Sequence, residues 1–159
     1  MRNEEKEYEE LGAKILSELS ALVEGDPEWR RVNAKDDNAF EIALIVARSL
    51  YSAGLTIPGL DVKIVHGTAT TLSAPHKKYE HAWVEIAIPG VVLGEGAIVA
   101  KGAIDLSNGS RVVMSVEQYR EISSVDEYSC RSYGMLEFVQ LVANLGTFGP
   151  FPKKMDKPN

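Results

Sequence analysis

One cysteine, Cys130, in 159 residues leaves no internal disulfide to draw. A chain so short of thiols fits a reducing compartment. Positive charge is also in deficit, with 17 Lys and Arg against 23 Asp and Glu and a net charge of -6. Without a basic stripe to offset phosphates, nonspecific nucleic-acid binding is disfavoured. No apolar run reaches membrane-spanning length, and the opening Met1-Arg2-Asn3-Glu4-Glu5 is too polar for a signal peptide. A cytoplasmic protein with no membrane partner is the expectation. There are no internal repeats. There is no phosphate-cradling loop either, because Gly94-Glu95-Gly96 lacks a following helix and lysine. What is present is 45% hydrophobic and 25% charged, enough to bury a core without staples. Residues 1–150 are expected to form one domain, and the proline-broken stretch 151–159 a flexible tail.

The periodicities divide the chain. Residues 4–24 read as an amphipathic helix with Leu11, Ile15, Leu19 and Leu22 on one face, stopped by Gly25-Asp26-Pro27. A second helix is expected over 34–53, with Phe40, Ala43, Leu44, Ala47, Leu50 and Tyr51 as its apolar stripe. Either Asn33, or Asn38 with Glu41, has the spacing to cap it, and Gly54 ends it. Residues 61–67 alternate as a strand, and 68–79 read as a loop. Residues 80–88 alternate again, with His81, Trp83 and Glu85 on one face. Short strands are expected at 91–93, 97–99, 103–106 and 111–114. Ser115 with Gln118 opens a short helix. A last helix is expected over 129–144, with Met135, Phe138, Val139 and Val142 inward and Gly146 as its stop. Helices, then an antiparallel sheet of four to six strands, then a helix define an α+β domain.

Two residues at strand ends carry chemistry. A histidine is the side chain best suited to taking a proton from a nucleophile and returning it to a leaving group, and His81 is the candidate. Asp105, ending another strand, is placed to fix the imidazole tautomer. The plain alternative is a surface histidine and a turn-capping aspartate, since Asp105-Leu106-Ser107-Asn108-Gly109 is also a turn sequence. A nucleophile belongs at the start of a buried helix, where free N–H groups stabilise a thiolate and a developing oxyanion. The run there, Val32-Asn33-Ala34-Lys35-Asp36-Asp37-Asn38-Ala39, holds neither Cys nor Ser. Its aspartates suit the helix dipole rather than attack on an amide.

The order Asn38-Ala39, His66-Gly67-Thr68, His81-Ala82-Trp83-Val84-Glu85, Asp105-Leu106-Ser107 resembles the papain-like cysteine-enzyme superfamily, in particular its transglutaminase-like branch. It is most similar to small bacterial and phage members reading Cys-x-x-x-Asn-Ala, His-Gly-x-x, His-Ala-Trp-Val-Glu and Asp-x-Ser. The resemblance spans residues 30–120, and the His-Ala-Trp-Val-Glu element is its most specific part. It implies an amide or isopeptide hydrolase, deamidase or transglutaminase-like enzyme acting on a protein, peptide or small amide, with no cofactor. It also implies His81 as base, Asp105 as its orienting acid, Asn33 at the oxyanion hole, and His66 and Trp83 lining the substrate cleft. The family's cysteine would fall at Ala34. There the chain departs from the pattern, by an inactivating substitution or by natural loss of the nucleophile. In the second case the fold would be a binding module.

Cys130 is the alternative nucleophile. Ser129-Cys130-Arg131 would lie near the start of the last helix with a local cation, whereas the plain reading is a half-buried structural thiol. His66 and Thr68 match only one half of the paired His-x-Thr motifs of two-histidine phosphoesterases. A zinc site of His66, His76 and His81 would need the 68–79 loop to fold back, and no metal is expected.

Overall fold

The computed structural model describes residues 2–34, 38–53, 59–71, 74–89, 98–107 and 111–152. Its element order is α1 (Arg2–Glu24), α2 (Pro27–Asn33), α3 (Ala39–Ala53), β1 (Asp61–Thr71), β2 (Ala74–Pro89), β3 (Ile98–Asp105), β4 (Val112–Ser115), α4 (Val116–Ile122), β5 (Asp126–Tyr133) and α5 (Met135–Leu145). The five strands form one sheet in the order β4-β3-β2-β1-β5, antiparallel throughout. The expected α+β class and strand count hold.

Local chemistry sets several boundaries as the sequence implies. Asp26 accepts from the Glu28 N–H at 2.8 Å and Pro27 opens α2. Ser115 accepts from the Gln118 N–H at 3.2 Å and starts α4. Gly146, at φ 69°, ends α5 in the left-handed conformation.

Four expectations are corrected. The helix expected to start at residue 34 starts at Ala39 as α3, and a separate short helix, α2, precedes it over Pro27–Asn33. Asn33 is the last residue of α2 and Ala34 its C-cap, so neither begins a helix. The stretch 68–79 is not a loop but the two arms of a β1–β2 hairpin, with Thr68 opposite Glu80 and Ala69 opposite Tyr79. Residues 98–105 form one continuous strand, while 91–93 lie outside the described residues. The helix expected from Ser129 begins at Met135, and Ser129 and Cys130 belong to β5. The 126–133 stretch is polar and weakly patterned. It becomes a strand because it covers the outer backbone groups of β1, which would otherwise stay unpaired.

Two stripes are also rotated. On α1 the buried residues are Leu16, Leu19 and Val23, whereas Leu11 and Leu22 are exposed. Leu16 fits over Gly102 of β3, where an added Cβ would lie 2.5 Å from its Cδ1. On α3 the stripe is Ile42, Ala43, Ile45, Val46, Ala47 and Leu50, and Tyr51 faces outward.

The sheet has two different faces. Val62 and Ile64 of β1 and Ala82, Val84, Ile86 and Ile88 of β2 pack against α1, α2 and α3 in the main core. On the other face Val65, Trp83, Ala103 and Tyr119 form a smaller core closed by α4. His81, opposite Gly67 in register, alternates onto this second face with Trp83, while His66 points to the first. The chain beyond α5 is anchored at its near end. Phe151, expected in a flexible tail, packs on Tyr133 and Phe138, and 153–159 lie outside the described residues. No described helix is long and apolar enough to cross a membrane.

Candidate active site

Asp105 is the last residue of β3 and is 7% exposed. Four hydrogen bonds converge on its carboxylate. Ser107 donates to Oδ1 from its hydroxyl at 2.6 Å and its backbone N–H at 3.2 Å. Tyr119 donates to Oδ2 at 2.7 Å, and His81 Nε2 lies 2.7 Å from the same oxygen. Burial pushes the carboxyl upward, but the hydrogen bonds from His81, Ser107 and Tyr119 outweigh it and hold Asp105 below the usual carboxylate range. Burial and the neighbouring Asp105 charge push Tyr119 up, so it remains a phenol and a donor. An ionised acceptor at Nε2 selects the tautomer with hydrogen there and leaves Nδ1 as the basic atom. Nδ1 of His81 is buried and has no hydrogen-bond partner.

The alternation in His81-Ala82-Trp83-Val84-Glu85 places three side chains in series. The imidazole lies over the Trp83 indole, with centroids 6.1 Å apart and planes inclined by 27°. Trp83 Nε1 donates to Glu85 at 3.0 Å, and Arg120 of α4 grips that carboxylate through Nε at 2.9 Å and Nη2 at 3.1 Å. Trp83 is therefore the floor under the histidine. It is 1% exposed and does not line the pocket, so of the two roles open to it Trp83 packs under the site and does not touch substrate. Gly67 permits this floor, because a Cβ there would stand 3.0 Å from both the indole edge and Cys130 Sγ.

His81 opens onto a pocket of about 280 Å³ that also includes His66, Gly67, Phe40, Arg131 and Phe151. His66 is 6% exposed, and neither ring nitrogen has a partner. Phe40, Tyr133, Phe138 and Phe151 surround its ring at centroid distances of 4.8, 5.1, 5.4 and 5.2 Å. Burial, helped by the nearby His81, lowers its pKa to about 4, so His66 stays neutral at physiological pH.

The other expected residues lie elsewhere. Asn33 and Ala34 line a separate, larger pocket of about 600 Å³ with Trp29, Arg30 and Arg111, and neither borders the His81 pocket. The smaller pocket is the candidate because His81 borders it. The Asn33 side-chain oxygen is buried without a partner there, at the end of a helix and not its start. Lys35, Asp36 and Asp37 lie outside the described residues. Cys130 is half-buried on β5, and its thiol donates to the Asp126 carbonyl at 3.5 Å. Burial pushes that thiol upward against the opposing charge of Arg120, the reverse of activation. Among the described residues no group of three or more His, Cys, Asp or Glu is placed to hold a metal ion. The His76 side chain lies outside the described ones.

Sequence reasoning missed Tyr119, Arg131 and the aromatic cage of His66. Nothing local marks Tyr119 or Phe151, which arrive from elements remote in sequence. Ser107 was visible in the Asp-x-Ser motif, but only as a turn residue.

Compared with known families, curated proteins and solved structures, the chain matches none.

Proposed function

We propose that this protein carries out acyl transfer on an amide-like carbonyl, with His81 as acid–base residue and Asp105 as its positioning partner. The observation that carries this reading is the His81–Asp105 contact of 2.7 Å, with the far ring nitrogen buried and unpaired and His81 bordering a pocket. A buried orphan nitrogen costs stability that a purely structural histidine would avoid. Cys130, the one thiol, is not activated, and the attacking group in this reading is water or a second substrate. His81 Nδ1 takes the proton of the attacking O–H as the oxygen bonds to the carbonyl carbon. When the C–N bond breaks, the same proton passes to the leaving nitrogen. The products of hydrolysis are a carboxylic acid and an amine, and no cofactor enters the balance. The resemblance to transglutaminase-like enzymes supports the reaction class and a protein, peptide or small amide as substrate. The single thiol supports a cytoplasmic setting.

A second reading is a binding module that retains the pocket without turnover. It is favoured by the unactivated state of Cys130, the one thiol of the chain. Chromogenic amides and esters separate the two. Turnover that falls at least about a hundredfold in His81→Ala, in line with loss of a general base, supports the enzyme. An absence of turnover across the panel, with the fold intact, leaves the binding module.

A further inference from the structure

Arg131 projects from β5 into the pocket that holds both histidines. Arg48, Arg111 and Arg120 each pair with a carboxylate. Arg131 has no ion-pair partner among the described residues, and its charge acts on the neighbouring Tyr133 hydroxyl. Glu80, the acidic residue of the same pocket, is on β2, separated from β5 by β1. The same pocket is lined by Phe40, Tyr133, Phe151 and His66, whose ring nitrogens are unpartnered. A guanidinium without a counter-ion beside an apolar wall is suited to a planar carboxylate attached to an apolar group. A neutral imidazole offers one donor and one acceptor, which suits an uncharged carbonyl or amide and not a second anion. At about 280 Å³ the pocket lies just below the range of drug-sized sites, so the ligand is amino-acid-sized.

We infer that the pocket binds a small N-acylated amino acid or apolar peptide end. Its carboxylate would sit on Arg131, its apolar side chain against Phe40, Tyr133 and Phe151, and its amide beside His66, at the rim that His81 borders. This inference rests on the acyl-transfer reading for the choice of amide, but its binding claim stands or falls separately.

The test compares N-acetylphenylalanine with its uncharged carboxamide by NMR titration of the full chain, following the histidine ring C–H signals. His66→Phe identifies the His66 lines. The acid is expected to bind about tenfold tighter than the carboxamide, the effect of one charge-assisted contact, and to shift the His66 signals. Arg131→Met should abolish the preference. Arg131→Lys, available where the methionine variant does not fold, should keep part of it, since lysine lacks the bidentate fork. Equal affinity for acid and carboxamide, unmoved His66 signals, or a preference indifferent to Arg131 overturns the inference. Arg131-dependent binding without hydrolysis upholds it and removes the acyl-transfer reading. Hydrolysis of the uncharged probe with no acid preference does the opposite.

Discussion

His81 Nε2 and Asp105 Oδ2 approach to 2.7 Å, and the same oxygen takes the Tyr119 hydroxyl at 2.7 Å. One carboxylate oxygen thus ties together β2, β3 and α4. The dyad is a structural junction as well as a candidate catalytic pair, and changes to it act on both stability and activity.

Asp105→Ala removes the acceptor of four hydrogen bonds and strands four donor groups of three residues in a buried site. We expect a loss of about 3–5 kcal/mol in urea unfolding, the range for breaking a buried charge-bearing pair. Asp105→Asn keeps the shape but frees the tautomer. It should lose a smaller share of stability and most of the turnover, a drop of about 10⁴ where the orienting acid of a triad is concerned. Equal losses of activity and stability in both variants would mean that Asp105 serves only the fold.

Tyr119→Phe deletes a single donor to an ionised acceptor. A cost of about 1.5–3 kcal/mol is expected, together with a rise in the Asp105 pKa, since one of the bonds holding it down is gone. Carboxyl-carbon NMR across the acid range reads the shift directly.

Stability should fall on mild acidification because of His66. Its folded pKa of about 4 lies below the ordinary 6.5, so between these values the unfolded chain binds the proton and the folded chain does not. Stability therefore rises with pH through that window and is flat above it. The full contribution is roughly 3 kcal/mol, from about 1.4 kcal/mol per pKa unit. Unfolding free energies measured from pH 8 down to 4 should show this slope, and His66→Phe, which keeps an aromatic ring in the cage, should remove it. The Asp105 contribution is distinct, because its lowered pKa confines the loss to the acid side of the normal carboxylate range.

Ala34→Cys should not restore an activated thiol. Position 34 caps the C-terminal end of α2, where the helix dipole opposes a thiolate, and it borders a pocket that excludes His81. In a Cys130→Ser background we expect it to titrate like free cysteine, near ~8.5, and to ignore His81→Ala. A thiol reacting well below pH 8 in a His81-dependent way would reinstate the cysteine-enzyme pattern.

Gly67→Ala tests the floor of the site. The new Cβ would meet Trp83 and Cys130 at 3.0 Å each. Overpacking of this kind costs about 1–3 kcal/mol, and tilting the indole should displace His81 and lower activity. Cys130→Ala should recover part of the stability by vacating one side of the contact.

The sequence by itself determined what depends on short-range order. Alternation along 80–88 put His81, Trp83 and Glu85 on one face, and the structure joins them through stacking and hydrogen bonds. Capping chemistry at Ser115 and the glycine at 146 marked element ends, because those bonds close within a few residues. The Asp-x-Ser spacing placed the Ser107 hydroxyl where it serves Asp105. Only the tertiary structure decided the rest. The polar stretch 126–133 became a strand because β1 had an open edge, a fact invisible in its own residues. The hydrophobic stripe of α1 turned toward Leu16 because Gly102 left room for it. Tyr119, Arg131 and the cage around His66 come from elements far apart in the chain. The separation of Ala34 from His81 follows from α2 ending where a single longer helix was expected to begin. Local patterns fix which face a side chain takes. Which faces meet depends on burying apolar surface and pairing backbone groups across the whole chain, and no window of sequence holds that information.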